Sequence, residues 1–193
     1  MNCFVQSYEN NTILDSAILI APLVFFIAPS DPRFLNTLDR ILQPPEKGGL
    51  TSTGLVYRYD TELSDDGKPL FPSPYMPPPL LRPPPPPPTL ERDLALIPAG
   101  VGGREGAFSM CTFWLVEAMT RAAQYEPKYL VRAINLFENM LSFSNHLCMF
   151  SEEIARSGEQ LGNTPQAFSH LALISAAFNL DRVAEKKYGD DKL

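Results

Sequence analysis

Two adjacent acids, Glu152 and Glu153, follow Ser151 and sit between apolar Met149-Phe150 and Ile154. A carboxylate held in a loop on a rigid scaffold can take a proton from water, which is the work of a general base in hydrolysis. The same pair also reads as solvated surface acids. A second candidate is Gly102-Gly103-Arg104-Glu105-Gly106-Ala107, placed to open a helix whose free N–H groups would attract an anion or a polar ligand, or simply to turn the chain into that helix. It is not a dinucleotide fingerprint, because the glycine spacing differs and a proline-rich run, not a strand, precedes it. Third, Tyr57-Arg58-Tyr59 sets a guanidinium between two aromatic rings. That arrangement suits sugar hydroxyls or a carboxylate, and equally an ordinary packed arginine. His146 and His170 have no partner at metal-ligand spacing and read as structural. Cys3, Cys111 and Cys148 are too few and too scattered for a disulfide framework or a zinc site. Trp114, inside an apolar helix, reads as core.

Composition removes several function classes. Lys and Arg number 16 against 22 Asp and Glu, a net charge of -6, so there is no basic surplus to neutralise phosphates and nucleic acid is not an expected partner. The 45% hydrophobic share is that of a globular chain. The apolar stretch 17–28 is too short for a membrane span of about 20 residues and contains Pro22. With no basic leader region, the cytoplasm is the expected compartment. Proline is the anomaly: 20 residues in all, 13 of them between positions 68 and 100. Lacking N–H donors and with φ fixed, that stretch is expected to be polyproline II or disordered. It divides the chain into residues 1–67, a proline-rich insert 68–100, and residues 101–193. The unbroken run from Pro83 to Pro88 also fits a ligand for SH3 or WW modules, which makes a proline-rich interaction protein a rival reading.

Every segment outside the insert reads as helix, giving an all-α fold of five helices. The first is expected over residues 12–28. The second starts at Pro32 behind a Ser30 or Asp31 cap and carries Phe34, Leu35, Leu38, Ile41 and Leu42 on one face. The third is expected over 107–124. The fourth, 127–144, places Leu130, Val131, Ile134, Phe137, Met140 and Leu141 on one side. The fifth, 165–180, opens at Pro165 behind Thr164, and the polar tail 181–193 is expected to fray. Helices one, three and five are apolar nearly all round, while two and four are amphipathic. That alternation implies inner helices ringed by outer ones.

The strings Val101 to Phe108 and Cys111-Thr-Phe-Trp-Leu-Val-Glu-Ala118 resemble glycoside hydrolase family 15, the glucoamylases and related trehalases. So do Ser151-Glu-Glu-Ile154, Gly158-Glu-Gln-Leu-Gly-Asn163 and Pro165-Gln-Ala-Phe-Ser-His170. Earlier strings, Leu14-Asp15-Ser16, Asp31-Pro32-Arg33 and Gly54-Leu-Val-Tyr-Arg-Tyr59, follow the family's order, and the chain looks closest to fungal members. The resemblance implies an (α/α)6 barrel and an inverting mechanism on α-linked glucosides such as α-glucans or trehalose. In such a mechanism a carboxylic acid protonates the leaving oxygen, and a carboxylate about 6.5–9.5 Å away activates water. Glu152 aligns with the general base. Glu153 aligns with a neighbouring site residue, and Arg58 with an arginine that holds sugar hydroxyls. Phe108 and Phe168 fall near aromatic walls of the sugar pocket, and Glu105 is a further candidate sugar contact. No cofactor or metal is implied.

Two departures from the family pattern stand out. No segment resembles the motif of the general acid, and five helices make only part of a barrel. The chain is therefore expected to be a C-terminal portion that carries the base alone and is inactive by itself, or an inactive pseudogene product. In addition, Asp65-Asp66-Gly67 and Val101-Gly102-Gly103 would join into an uninterrupted family-like string if residues 68–100 were removed, which suggests a translated intron.

Overall fold

The computed structural model describes residues 2–7, 12–59 and 106–188. Residues 1–60 and 106–193 form one compact unit. The insert 68–100, with Pro83 to Pro88, and the candidate Glu105 lie outside the described residues.

Four α-helices carry the described fold: α1 (Pro32–Ile41), α2 (Ser109–Ala122), α3 (Lys128–Leu141) and α4 (Ala167–Tyr188). Helix α1 begins as the sequence requires. The Asp31 carboxylate accepts from the Arg33 amide at 2.8 Å, Pro32 takes the first helical position, and Phe34, Leu38 and Ile41 are fully buried. Helix α2 is the axis of the core. Nearly every side chain on it is buried, including Phe113, Leu115, Val116 and Met119, and both α3 and α4 pack along it. Burial of each such side chain is worth about 1.5–3 kcal/mol, so α2 organises the unit.

Three helical expectations change. Residues 12–28 do not form an α-helix: only a 3-10 turn, Ser16–Ile20, is present, followed by turns. The Asp15–Tyr59 bridge and the Ser16 amide's bond to the Arg58 carbonyl keep the entry extended. Pro22 then supplies no N–H, and Phe25 at φ 60 closes the segment. Val24, Phe25 and Phe26 are exposed, not buried. On α3 the buried stripe is Tyr129, Leu130, Ala133, Leu136 and Met140, whereas Val131 and Leu141 face outward. The stripe is turned because the Tyr129 hydroxyl bonds the Leu35 carbonyl and Asp39. Helix α4 runs on to Tyr188, eight residues past its expected end at Leu180. Its Phe168, Leu171, Ile174 and Phe178 are exposed, so the buried-all-round reading holds for α2 and not for α4.

Short strands frame the head of α2. β1 (Thr51–Ser52) and β2 (Leu55–Val56) form a hairpin through Gly54, and β2 packs beside β3 (Ala107–Phe108). β3 pairs antiparallel with β4 (Glu153–Ile154), which pairs with β5 (Gln160–Leu161). Gly106 is tied to this layout: a Cβ there would stand 2.5 Å from the Ile154 carbonyl oxygen. Among the described residues no helix is long and apolar enough to cross a membrane.

Candidate active site

Helix α2 starts without a side-chain cap, since Phe108 occupies the N-cap position. Its first free N–H, on Ser109, is met by the Glu152 carbonyl at 3.0 Å. The chain just before β4 thus serves as the cap and is held in return. The Glu152 amide donates to the Asn163 carbonyl at 2.9 Å, and the Phe150 carbonyl accepts from the Gln166 amide at 3.1 Å. The Ser151 carbonyl accepts from the Ser169 hydroxyl at 2.9 Å. The Phe150 amide donates to His170 Nε2 at 3.3 Å. Residues 150–152 are therefore fastened to the head of α2, to the chain after β5, and to the first turn of α4.

The Glu152 side chain is oriented as well. Its Oε2 accepts from Asn163, from Nδ2 at 3.1 Å and from the amide at 3.3 Å. Oε1 makes no hydrogen bond among the described residues, and the side chain is half-buried. Gly162 makes room for it: φ is 69°, and a Cβ at that position would approach Oε2 to 2.8 Å. A carboxylate with one oxygen fixed by donors and the other open can accept a proton from water. Glu153, the first residue of β4, has its Oε2 bonded by the Gly106 amide at 2.7 Å, so it clamps β4 to the chain entering β3.

The family model for glycosyl hydrolases family 15 matches residues 1–178. The chain belongs to glycosyl hydrolase family 15. It is 35% identical over 184 residues to a protein named trehalase from Mycobacterium tuberculosis, an alignment covering 95% of this chain and 21% of that protein. A trehalase from Thermoplasma volcanium is 34% identical over 187 residues, covering 96% of this chain and 23% of the relative. A trehalase from Thermoplasma acidophilum is 30% identical over 187 residues, covering 96% and 24%. The chain thus spans about a fifth to a quarter of the length of these relatives. No solved structure gives a significant match.

In this family 15 chain the remaining candidates are placed as follows. Arg58 is exposed, with its guanidinium 5.7 Å from the centre of the Tyr59 ring. It is not sandwiched: Tyr57 turns the other way, and its hydroxyl accepts from Arg156 Nε at 3.1 Å. Arg58 follows β2, whose Val56 amide donates to Thr112 in the first turn of α2 at 3.1 Å, and the Glu152 carbonyl accepts from the Ser109 amide of the same turn. Burial pushes the Cys111 thiol up to about 12. That thiol is no nucleophile. Phe108 is buried opposite Glu153 in the β3–β4 pairing, and Phe168 is 66% exposed on the first turn of α4. Trp114 is partly buried against the core. The hydroxyl of Ser109 is buried with no hydrogen-bond partner among the described residues. All three cysteines are free thiols.

Sequence reasoning left Asn163, Gly162 and Ser169 without roles and read His170 only as structural. Each lies within a string that resembled the family, but only the fold shows that two separate strings close on residues 150–152. It also missed Glu117. That carboxylate is 2% exposed and accepts from Arg121 on its own helix, at 2.8 Å, and from Ser175 and Asn179 on α4, at 2.6 and 3.1 Å.

Proposed function

We propose that the chain carries Glu152 as the general base of an inverting α-glucoside hydrolase, with trehalose as the favoured substrate. The observation that carries this reading is the Glu152 carboxylate itself, on a segment held by five hydrogen bonds to the backbone of residues 150–152, with Oε2 taken by Asn163 and Oε1 making no hydrogen bond among the described residues. Oε1 would accept the proton of the attacking water, and Asn163 would keep the carboxylate from rotating as it does so. Arg58, exposed at the same end of α2, would hold sugar hydroxyls. Trehalose is favoured over α-glucans because the relatives described above carry the name trehalase. Those relatives are bacterial and archaeal, and lend no support to a fungal type. The acid that protonates the leaving oxygen would be supplied by another part of the enzyme, so residues 1–193 alone would not hydrolyse substrate.

The test grafts residues 1–178 without 68–100 in place of the matching segment of the Mycobacterium tuberculosis trehalase. Trehalose hydrolysis by that chimera is expected to fall about a hundred- to ten-thousandfold on Glu152→Gln, because an amide cannot take the water's proton. Glu153→Gln should cost far less, since Gln can still accept from the Gly106 amide. The reverse ranking would refute the assignment. The chimera also tests the insert. β2 and β3, on either side of residues 60–105, pack side by side, which supports 68–100 as an excursion that the helical unit does not need. Loss of cooperative melting when residues 68–100 are deleted from the chain would count against it.

A further inference from the structure

The imidazole of His170 lies between two backbone groups of opposite kind. Nδ1 is 2.7 Å from the Gln166 carbonyl oxygen, which can only accept. Nε2 is 3.3 Å from the Phe150 amide, which can only donate. The hydrogen-bond partners therefore select one tautomer, with the proton on Nδ1 and the lone pair on Nε2. The ring also stands edge-on to Phe150 at 6.0 Å between centroids, and Phe150 in turn packs edge-on to Phe113 of α2 at 5.3 Å. His170 thus ties α4 to the residue two places before Glu152, by a bond that runs along the same strand of backbone as the base.

We propose that His170 is a positioning residue for Glu152, acting through its Nε2 lone pair on the Phe150 amide. This rests on the reading of Glu152 as the base. The physical case is one of leverage. Residues 150–152 are consecutive and each is held through its backbone, so releasing the Phe150 amide lets the segment pivot about the two bonds at its other end, the Ser109 and Asn163 contacts. A pivot there moves the carboxylate relative to Asn163, which sets its orientation. The other anchors cannot substitute, because Gln166 and Ser169 bond carbonyl oxygens and leave that amide unsatisfied. A buried N–H without a partner is costly enough to drive the shift.

The test uses the full chain, by NMR, in an Ile174→Glu, Phe178→Glu background that keeps the exposed face of α4 from associating and serves as the wild type below. In the wild type, the imidazole nitrogen shifts of His170 at neutral pH should show the Nδ1–H tautomer; the Nε2–H tautomer would overturn the proposal before any variant is made. His170→Phe keeps the ring and its contact with Phe150 but removes both nitrogens. His170→Gln places Oε1 near the position of Nε2 and restores only the acceptor. Exchange of the Phe150 amide should quicken roughly five- to tenfold in His170→Phe and return toward wild type in His170→Gln. The carboxyl carbon shift of Glu152 should move in His170→Phe and recover in His170→Gln. A Glu152 signal unmoved in His170→Phe, or a Gln variant no better than Phe, would reduce His170 to packing and sink the proposal. Should His170→Phe fail to fold, the tautomer and the Gln variant still decide. None of these readouts needs hydrolysis, so a chimera that kept its activity on Glu152→Gln would refute the base and leave the His170 tie standing.

Discussion

At the scale of single residues, the geometry around Glu152 depends on small groups more than on the charge itself. Gly162 has φ 69°, a conformation that an L side chain adopts at a cost, and its missing Cβ is the space in which Oε2 sits. Gly162→Ala is therefore expected to act twice, straining the turn and pushing the carboxylate off Asn163. Asn163→Ala removes the side-chain donor but leaves the backbone one, so it should be milder. In the chimeric hydrolase both should lower kcat more than they raise KM, because they disturb the base and not the sugar contacts. Steady-state kinetics on trehalose check the ranking; an Asn163→Ala enzyme worse than Gly162→Ala would show that the amide, not the space, sets the orientation. Glu153 illustrates the opposite lesson. Adjacent acids looked interchangeable by type, yet the chain sends Glu152, at the bend before β4, toward Asn163 and Glu153, the first residue of β4, to the Gly106 amide.

At the scale of elements, the joint between α2 and α4 is held by a buried carboxylate. Glu117 accepts from Arg121, Ser175 and Asn179, and its loss would take that acceptor from the Arg121 guanidinium and the Ser175 hydroxyl, while Asn179 keeps its bond to the Ser175 carbonyl. Glu117→Ala is expected to destabilise the unit by about 3 kcal/mol, read as a lower urea midpoint with unchanged slope. The head of α1 carries a pH dependence. The Arg33 guanidinium and the Arg33 amide, both donating to Asp31, hold its carboxyl down at about 2, below the ordinary 3.8. The stabilisation it gives is complete above about pH 4 and is lost as pH falls toward 2. Asp31→Asn should flatten that part of the acid-unfolding curve by lowering stability at neutral pH, where the charge is present, while leaving stability near pH 2 almost unchanged. These elements also show what the sequence could reveal. Helix α1 was legible because Asp31, Pro32 and a clean stripe agree. Residues 12–28 were misread because an unbroken apolar run has no period to distinguish helix from a 3-10 turn interrupted by Pro22. The last turns of α4 were missed because Glu185, Lys186 and Lys187 looked like a solvated tail, although all three are good helix formers. Glu152 was legible through its string; Asn163 and His170 were not, because their roles exist only once two loops meet.

At the scale of the whole molecule, the open question is what covers the outer face of α4. Phe168, Leu171, Ile174 and Phe178 recur every three or four residues along that helix, and each is more than 60% exposed. Beside the last of them lies an apolar groove of about 700 Å3 lined by Ile134, Phe137 and Leu141 of α3 and by Ala177 and Phe178 of α4. A continuous stripe of this kind on a water-facing helix is an association surface. Removing each of these side chains from water is worth about 1.5–3 kcal/mol, which is large against a net stability of about 5–15 kcal/mol for a whole domain. Purified residues 1–193 are therefore expected to self-associate at micromolar concentration. Ile174→Glu with Phe178→Glu should reverse this without unfolding the unit, because the buried face of α4 is built from Ser169, Ala172, Ala176 and Leu180 and is untouched. The charges would sit where water already reaches, so far-UV helicity should be retained. Sedimentation velocity on the two proteins decides the matter: a monomeric wild type, or a double variant that associates as strongly as the wild type, would show that this face is not the sticky one. Phe168 is left out of the double variant because it neighbours Ser169 and His170, so a change there would confound association with the placement of Glu152.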